Sequence, residues 1–185
     1  MLRITQKLFF SCFIALGILC LTSCSSTKVE DYASETPTLI LSEYFNGNTK
    51  AYGIFTDRGG KVVKRFTVDI QSTWAVVDGV KTGTLDESFL YSDGTTQKRI
   101  WTIKEISKNQ FEGTAADVVG KATGVASGNA LNWSYTLLLP VDGKNIEVQF
   151  NDWMYLVNSK VMLNRAQMTK FGIYLGEVTL SFTKD

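Results

Sequence analysis

The feature that most constrains this chain is an alternation of apolar and polar residues with a period of two, broken by turn residues and not by helical stretches. Leu131, Trp133, Tyr135, Leu137 and Leu139 alternate with Asn132, Ser134 and Thr136. Ile146, Val148, Phe150, Met154 and Leu156 alternate with Glu147, Gln149 and Asn151. Val62, Phe66, Val68, Ile70 and Trp74 share one phase, as do Tyr174, Val178, Leu180 and Phe182, with Leu175, Glu177 and Thr179 on the other. Successive strand side chains point to opposite faces, so this period marks strands with one buried face. Turn markers separate them at Asp57-Arg58-Gly59-Gly60, Asp78-Gly79, Asp93-Gly94, Lys108-Asn109, Ser127-Gly128-Asn129, Asp142-Gly143, Asn158-Ser159 and Lys170 to Gly172. Asp-Gly suits two-residue hairpins because both central positions need positive φ. The expected fold is therefore all-β, with about 8–10 strands in sequential antiparallel hairpins. An open meander leaves two edges exposed, and closure into an up-and-down barrel removes them. A two-sheet sandwich is the alternative. A barrel of this size either holds one small ligand or is filled by its own side chains. Ahead of the strands, Thr36-Pro37 reads as the N-cap and first position of a short helix carrying Leu39, Ile40, Tyr44 and Phe45 and ended by Gly47.

The N-terminus reads differently. Arg3 and Lys7 precede an apolar run from Leu8 to Leu21, and Leu21-Thr22-Ser23-Cys24 follows. This is the order of a secretory signal, and the run is too short to cross a hydrocarbon core of about 30 Å comfortably. Its end resembles the lipobox of bacterial lipoproteins. That resemblance implies a cleaved signal over 1–23, acyl chains such as palmitate on Cys24, and permanent attachment to a membrane. Ser25 in place of an acidic residue implies, by the same resemblance, the outer membrane's inner leaflet, facing the periplasm. Residues 24–36 then form a lipidated polar tether, reaching about 40 Å if fully extended. Residues 37–185 form a single barrel domain.

From Cys24 onward the chain has 162 residues, the 185 less the 23 of the signal, enough for one substantial core. Cys12 and Cys20 leave with the signal, so no disulfide is expected. Removing Arg3 and Lys7 leaves 17 basic against 18 acidic residues, which gives no electrostatic reason to expect a nucleic acid partner. The chain has no histidine. Histidine-based triads, cysteine–histidine pairs and ordinary zinc sites are thereby excluded. No enzyme, metal or cofactor is expected. Carboxylates, with Asp86-Glu87 and Asp152 as candidates, are the weakest remaining route to chemistry, since consecutive acids on a strand face opposite ways.

Two polar residues break the apolar phase. Asp152 falls between Phe150 and Met154, and Arg99 shares the phase of Trp101 and Ile103. A carboxylate or guanidinium placed inward must be paired, hydrogen-bonded or neutralised. The two are candidates for a buried pair, or for contacts to a ligand's polar end; a bulge at Asn151-Asp152 would turn Asp152 outward instead. One of Asn164 and Arg165 also faces inside, and Arg165 is taken as the candidate. Trp74, Trp101, Trp133, Phe150 and Met154 are expected to line the apolar part. The stretch from Ala115 to Gly128 is poor in large side chains, which permits a sharp bend or leaves room for a ligand.

The segments Tyr44-Phe45-Asn46-Gly47, Gly53 to Arg58, Arg65-Phe66-Thr67-Val68, Leu85 to Phe89, Arg99-Ile100-Trp101, Gly128-Asn129-Ala130, Asp152-Trp153-Met154-Tyr155, Asn164-Arg165-Ala166 and Lys170-Phe171-Gly172 resemble a family of uncharacterised bacterial lipoproteins defined by a domain of unknown function. The resemblance spans nearly all of the chain after the signal and brings no activity with it. The architecture also resembles the lipocalin-like barrels, although Gly53-Ile54-Phe55 lacks the tryptophan of their Gly-x-Trp. The expectation is an anchored lipoprotein whose barrel takes a lipid, fatty acid or other hydrophobic small molecule. The alternative is a structural or envelope-assembly accessory with a filled barrel, docking a protein through Trp153, Tyr155 and nearby loops.

Overall fold

Each marked turn separates two strands. In the structure, a computed structural model that describes residues 26–141 and 143–184, the strands are β1 (Gly47–Asp57), β2 (Val62–Val77), β3 (Val80–Tyr91), β4 (Thr96–Ser107), β5 (Gln110–Thr114), β6 (Ala122–Ser127), β7 (Ala130–Val141), β8 (Lys144–Leu156), β9 (Val161–Lys170) and β10 (Ile173–Lys184). The segment read as a signal, and Cys24, lie outside the described residues. Every neighbour in sequence is an antiparallel neighbour in space, and β1 pairs with both β2 and β10, so the sheet closes without an edge. The fold is the all-β up-and-down barrel, and the sandwich alternative falls away. Asp78 and Gly79 both take positive φ, 50° and 78°, as a two-residue hairpin demands.

The helix is shorter than expected. Pro37 does not open it; Leu39 donates its backbone N–H to Gly128 O at 2.8 Å, which ties this segment to the β6–β7 turn. One helical turn, α1 (Leu41–Tyr44), follows. It closes one end of the barrel. Trp74 Nε1 donates to Phe45 O at 2.6 Å, and Tyr44 Oη donates to the carbonyls of Lys160 and Phe182 at 3.1 and 3.2 Å. The polar stretch read as a tether is also not free along its whole length. Val29–Tyr32 forms a 3-10 turn against β6 and β7 with Val29 buried. Tyr32 lies over Trp153 and Tyr155 on the barrel's outer wall, with ring centroids 5.9 and 5.3 Å away.

Rings lie over glycines on neighbouring strands. A Cβ at Gly53 would meet Phe66, one at Gly83 would meet Trp74, and Cβ atoms at Gly113 and Gly124 would both meet Trp133. Strand glycines mark close approach, and here the approach is by an indole or phenyl face. The small residues of the 115–128 stretch serve this purpose in part, since Ala122, Gly124 and Ala126 lie on the inner phase of β6 beside Trp133.

Two irregularities shape the wall. Register shifts between Tyr174 and Gly176 in β10, so Leu175, on the polar phase by simple alternation, lines the interior and Tyr174 faces out. The second is the β5–β6 connection, which carries no turn marker. Pairing of β4 with β5 stops at Thr102–Thr114, and residues 115–121 fill the wall beyond it. That loop bonds to β7 through Leu138 N–Asp117 O and Val119 N–Thr136 O, at 2.8 and 2.9 Å. Among the described residues no helix is long and apolar enough to cross a membrane.

Candidate functional site

The inner faces of the strands do not meet. They enclose a cavity of about 910 Å³ between the α1 plug and the opposite, open end. That volume is in the range of small-molecule sites. The wall is mostly apolar: Phe66, Val68, Ile70, Leu85, Phe89, Trp101, Trp133, Tyr135, Val148, Phe150 and Met154 contribute. Tyr135 stacks on Phe150 with centroids 5.0 Å apart, and Trp101 meets Tyr135 edge-on at 5.5 Å.

Within this wall sits a polar cluster drawn from five strands and the 115–121 loop. Asp152 on β8 stays in regular register, faces inward and is 5% exposed. Asn164 Nδ2 donates to one of its oxygens and Tyr135 Oη to the other, the latter at 3.3 Å. Burial raises its carboxyl to about 6, against the opposing effect of those two hydrogen bonds. Arg99 on β4 does not pair with Asp152. It makes a two-pronged contact with Asp117 of the 115–121 loop, Nε to Oδ2 at 3.0 Å and Nη2 to Oδ2 at 2.7 Å, with Nε also 3.1 Å from Oδ1. The guanidinium also lies over the Phe89 ring at 5.4 Å. Burial works against its charge, but Asp117 and Glu87 hold its pKa above the ordinary value.

Glu87 is the cross-strand partner of Arg99, and its carboxylate stands 4.0 Å from Arg99 Nη1. Its side chain is 14% exposed and lines the cavity. Burial raises its carboxyl to about 7; Arg99 pulls it down while Asp117, Asp152 and Asp86 push it up. Tyr135 is likewise raised well above 10, by burial first and then by the charge of Asp152.

The structure sorts the expected residues. Arg99, Trp101, Trp133, Phe150, Asp152 and Met154 line the cavity. Trp74 does not: its indole lies on Gly83 near the closed end and donates to Phe45. Arg165 does not either. On β9 the inward residue is Asn164, 2% exposed, while Arg165 is 61% exposed and bonds Glu177 outside through Nε at 2.5 Å. Glu87 was named from the sequence only as a weak carboxylate candidate and Asn164 only as the alternative to Arg165; Asp117 and Tyr135 were not singled out. Glu87 shares the phase of Leu85 and Phe89, a signal as strong as that of Asp152. Asp117 comes from a loop, where no phase exists to read. Among the described residues no group of three or more histidine, cysteine, aspartate or glutamate side chains could hold a metal ion.

The chain belongs to the family described as "Protein of unknown function (DUF3833)", which it matches over residues 18–184. No curated protein matches it. Among solved structures it is similar to the S-type phycobiliprotein lyase CpeS from Guillardia theta, with a TM-score of 0.59 at 7% identity, covering 86% of this chain and 98% of that one. It is also similar to a protein of unknown function from the DUF3598 family of Nostoc punctiforme, with a TM-score of 0.53 at 11% identity. That match covers 82% of this chain and 51% of that one. At these identities the likeness is one of fold, a lipocalin-like barrel.

Proposed function

We propose that this protein is a membrane-anchored binding protein that holds a hydrophobic small molecule in its barrel. The observation that carries the reading is the cavity itself, about 910 Å³ walled by aromatic and aliphatic side chains with a few polar groups converging on it. A barrel whose role is only structural gains nothing from unfilled interior, because each missing contact forfeits dispersion energy. The lyase barrel among its structural neighbours is consistent with a small-molecule ligand. The cavity disfavours the filled barrel of the accessory alternative. The outer aromatic pair Trp153 and Tyr155 is also covered by the chain's own Tyr32.

Anchoring through Cys24 rests on the lipobox and gives the barrel an orientation. The chain enters at the end that α1 closes, and it is packed from Val29 onward. Only a few residues separate Cys24 from Val29, a span of about 15 Å at most. Strands of this length tilted in a barrel place the open end about 30 Å farther away. The mouth then faces the aqueous space, and its cargo arrives from that side.

The test is binding of Nile red, an uncharged apolar fluorophore, to the purified protein. One-to-one uptake with a blue-shifted emission is expected, along with its loss in Ala166→Phe, which puts a ring into the cavity. A wild-type protein that binds no apolar probe refutes the reading.

A further inference from the structure

The polar groups of the cavity are unbalanced, and the imbalance specifies a ligand. Consider the donors first. Arg99 gives Nε and Nη2 to Asp117, and its Nη1 faces its second anionic neighbour, Glu87, at 4.0 Å. The Tyr135 hydroxyl is spent on Asp152. Both hydrogens of the Asn164 amide are spent, on Asp152 and on Trp153 O, the latter at 3.2 Å. Those two acceptors also fix which way the Asn164 amide points.

The acceptors are not matched. Asn164 Oδ1 is buried and has no hydrogen-bond partner among the described residues. Its residue is 2% exposed and lines the cavity. Glu87 accepts no hydrogen bond from a described residue, and Arg99 stands off at 4.0 Å. Asp152 has two donors for a carboxylate with about four acceptor positions. The charges around Arg99 lean the same way, with Glu87, Asp117 and Asp152 near it, and the other cation on the cavity wall, Lys64, is paired with Asp93 at 3.1 Å. A buried acceptor without a donor costs stability, and a ligand that supplies the donor recovers it.

We propose that the cavity selects a hydrophobic molecule whose polar end donates hydrogen bonds, a protonated amine or other N–H-bearing group, and discriminates against carboxylates and phosphates. The inference rests on the cavity-binding reading above and assigns Glu87, Asp152 and Asn164 Oδ1 as the group that receives that end. It sets aside the fatty acid expected from the sequence. A carboxylate would meet the Nη1 side of Arg99, which already faces Glu87 at 4.0 Å, with Asp117 and Asp152 as further acidic neighbours, and like charges in a low-dielectric site repel strongly.

Nile red bound to the wild-type protein is displaced with decylamine, decanol and decanoate, which share one tail and differ in the polar end. Decylamine should displace at a concentration at least tenfold below decanoate. In Glu87→Gln, which keeps the shape and removes the charge, that ratio should fall below threefold. The proposal is overturned if decanoate displaces as well as decylamine, or if the preference persists in Glu87→Gln and in Glu87→Gln/Asp152→Asn. Because the first comparison uses only wild-type protein, it stands even if a variant folds poorly. The two readings fail separately. A protein that binds Nile red but prefers decanoate keeps the cavity and loses the donor rule, whereas one that binds no probe loses both.

Discussion

Gly124→Ala isolates how the barrel accommodates one of its largest inner side chains, Trp133. Gly124 on β6 lies opposite Trp133 on β7. A Cβ there would stand 2.5 Å from Trp133 Cζ3 and nearer still to Cε3, where ordinary contact begins near 3.4 Å. The backbone at Gly124 is one an alanine accepts, so replacing glycine in a strand would by itself stabilise by about 0.5–1 kcal/mol. The steric term runs the other way. The ring cannot slide toward β5, since Gly113 offers only the same close approach to Trp133 Cζ2. Its free direction is the cavity, which it already lines. Overpacking that can relax into space costs about 1–3 kcal/mol. The steric term wins by about 1–2 kcal/mol, and at roughly 2–4 °C per kcal/mol for a domain of this size the melting temperature should fall by about 2–8 °C. Thermal unfolding followed by circular dichroism reads the shift. Trp133→Phe shortens the ring, so the same alanine should cost less in that background, a coupling measurable by a double-mutant cycle. A Gly124→Ala protein as stable as wild type, or more stable, would refute the argument that glycine is held there by the indole. Equal costs in the two backgrounds would refute it as well.

Three further outcomes are expected. Asp117→Asn leaves the half-buried Arg99 without its main partner and should cost about 1–3 kcal/mol; because that pair ties the 115–121 loop to β4, amide exchange over Ala115 to Lys121 should accelerate, and unchanged exchange would show that backbone bonds to β7 suffice. Glu87 titrates near 4.5 in the unfolded chain and about 7 in the folded one, under burial first, then the pull of Arg99 and the push of Asp117, Asp152 and Asp86, so the folded state holds an extra proton between those values. Its contribution is therefore full below about pH 4.5 and lost as pH rises through 7, on the order of 3 kcal/mol in all; Glu87→Gln should flatten this slope in urea titrations at pH 5 and pH 8, and an unaltered slope would count against the assignment. Cys24→Ala should abolish incorporation of an alkyne-tagged palmitate and move the protein from the membrane to the soluble fraction, and continued labelling would disprove lipidation at this residue.

The fold was legible because its information is local and redundant. Period-two alternation fixes which residues face in, and each hairpin turn announces itself through residues that tolerate positive φ, such as Asp78-Gly79 and Asn109. Where the reading failed, a tertiary contact overrode a local rule. Thr36-Pro37 has the residues of a helix start, yet the hydrogen bond from Leu39 to Gly128 holds the segment on the barrel and delays α1 to Leu41. Leu175 is assigned to the wrong face by strict alternation because the register shift before Gly176 reverses the phase. Trp74 sits on an apolar phase, but phase gives the face and not the depth along the axis; near the β2–β3 turn the same face meets the plug instead of the cavity.

The polar cluster was half legible for a related reason. Phase shows that Arg99 and Asp152 point inward, and two opposite charges inside one small barrel invite pairing. What decides against it is circumference. Arg99 lies on β4 and Asp152 on β8, with β5, β6 and β7 between them on one side of the closed sheet. The nearer anion arrives from the loop that replaces pairing beside β4, and Glu87 stands directly across on β3. Arg99 is thus neutralised at the wall, and Asp152 is left to Tyr135 and Asn164, whose donors it consumes. The wall fixes its own cation in place and leaves acceptors facing the cavity. An anionic headgroup would meet Arg99 on the Nη1 side, which already faces Glu87, unless the Asp117 contact broke and loosened the loop that completes the barrel. Wall closure and discrimination against anions therefore depend on the same ion pair.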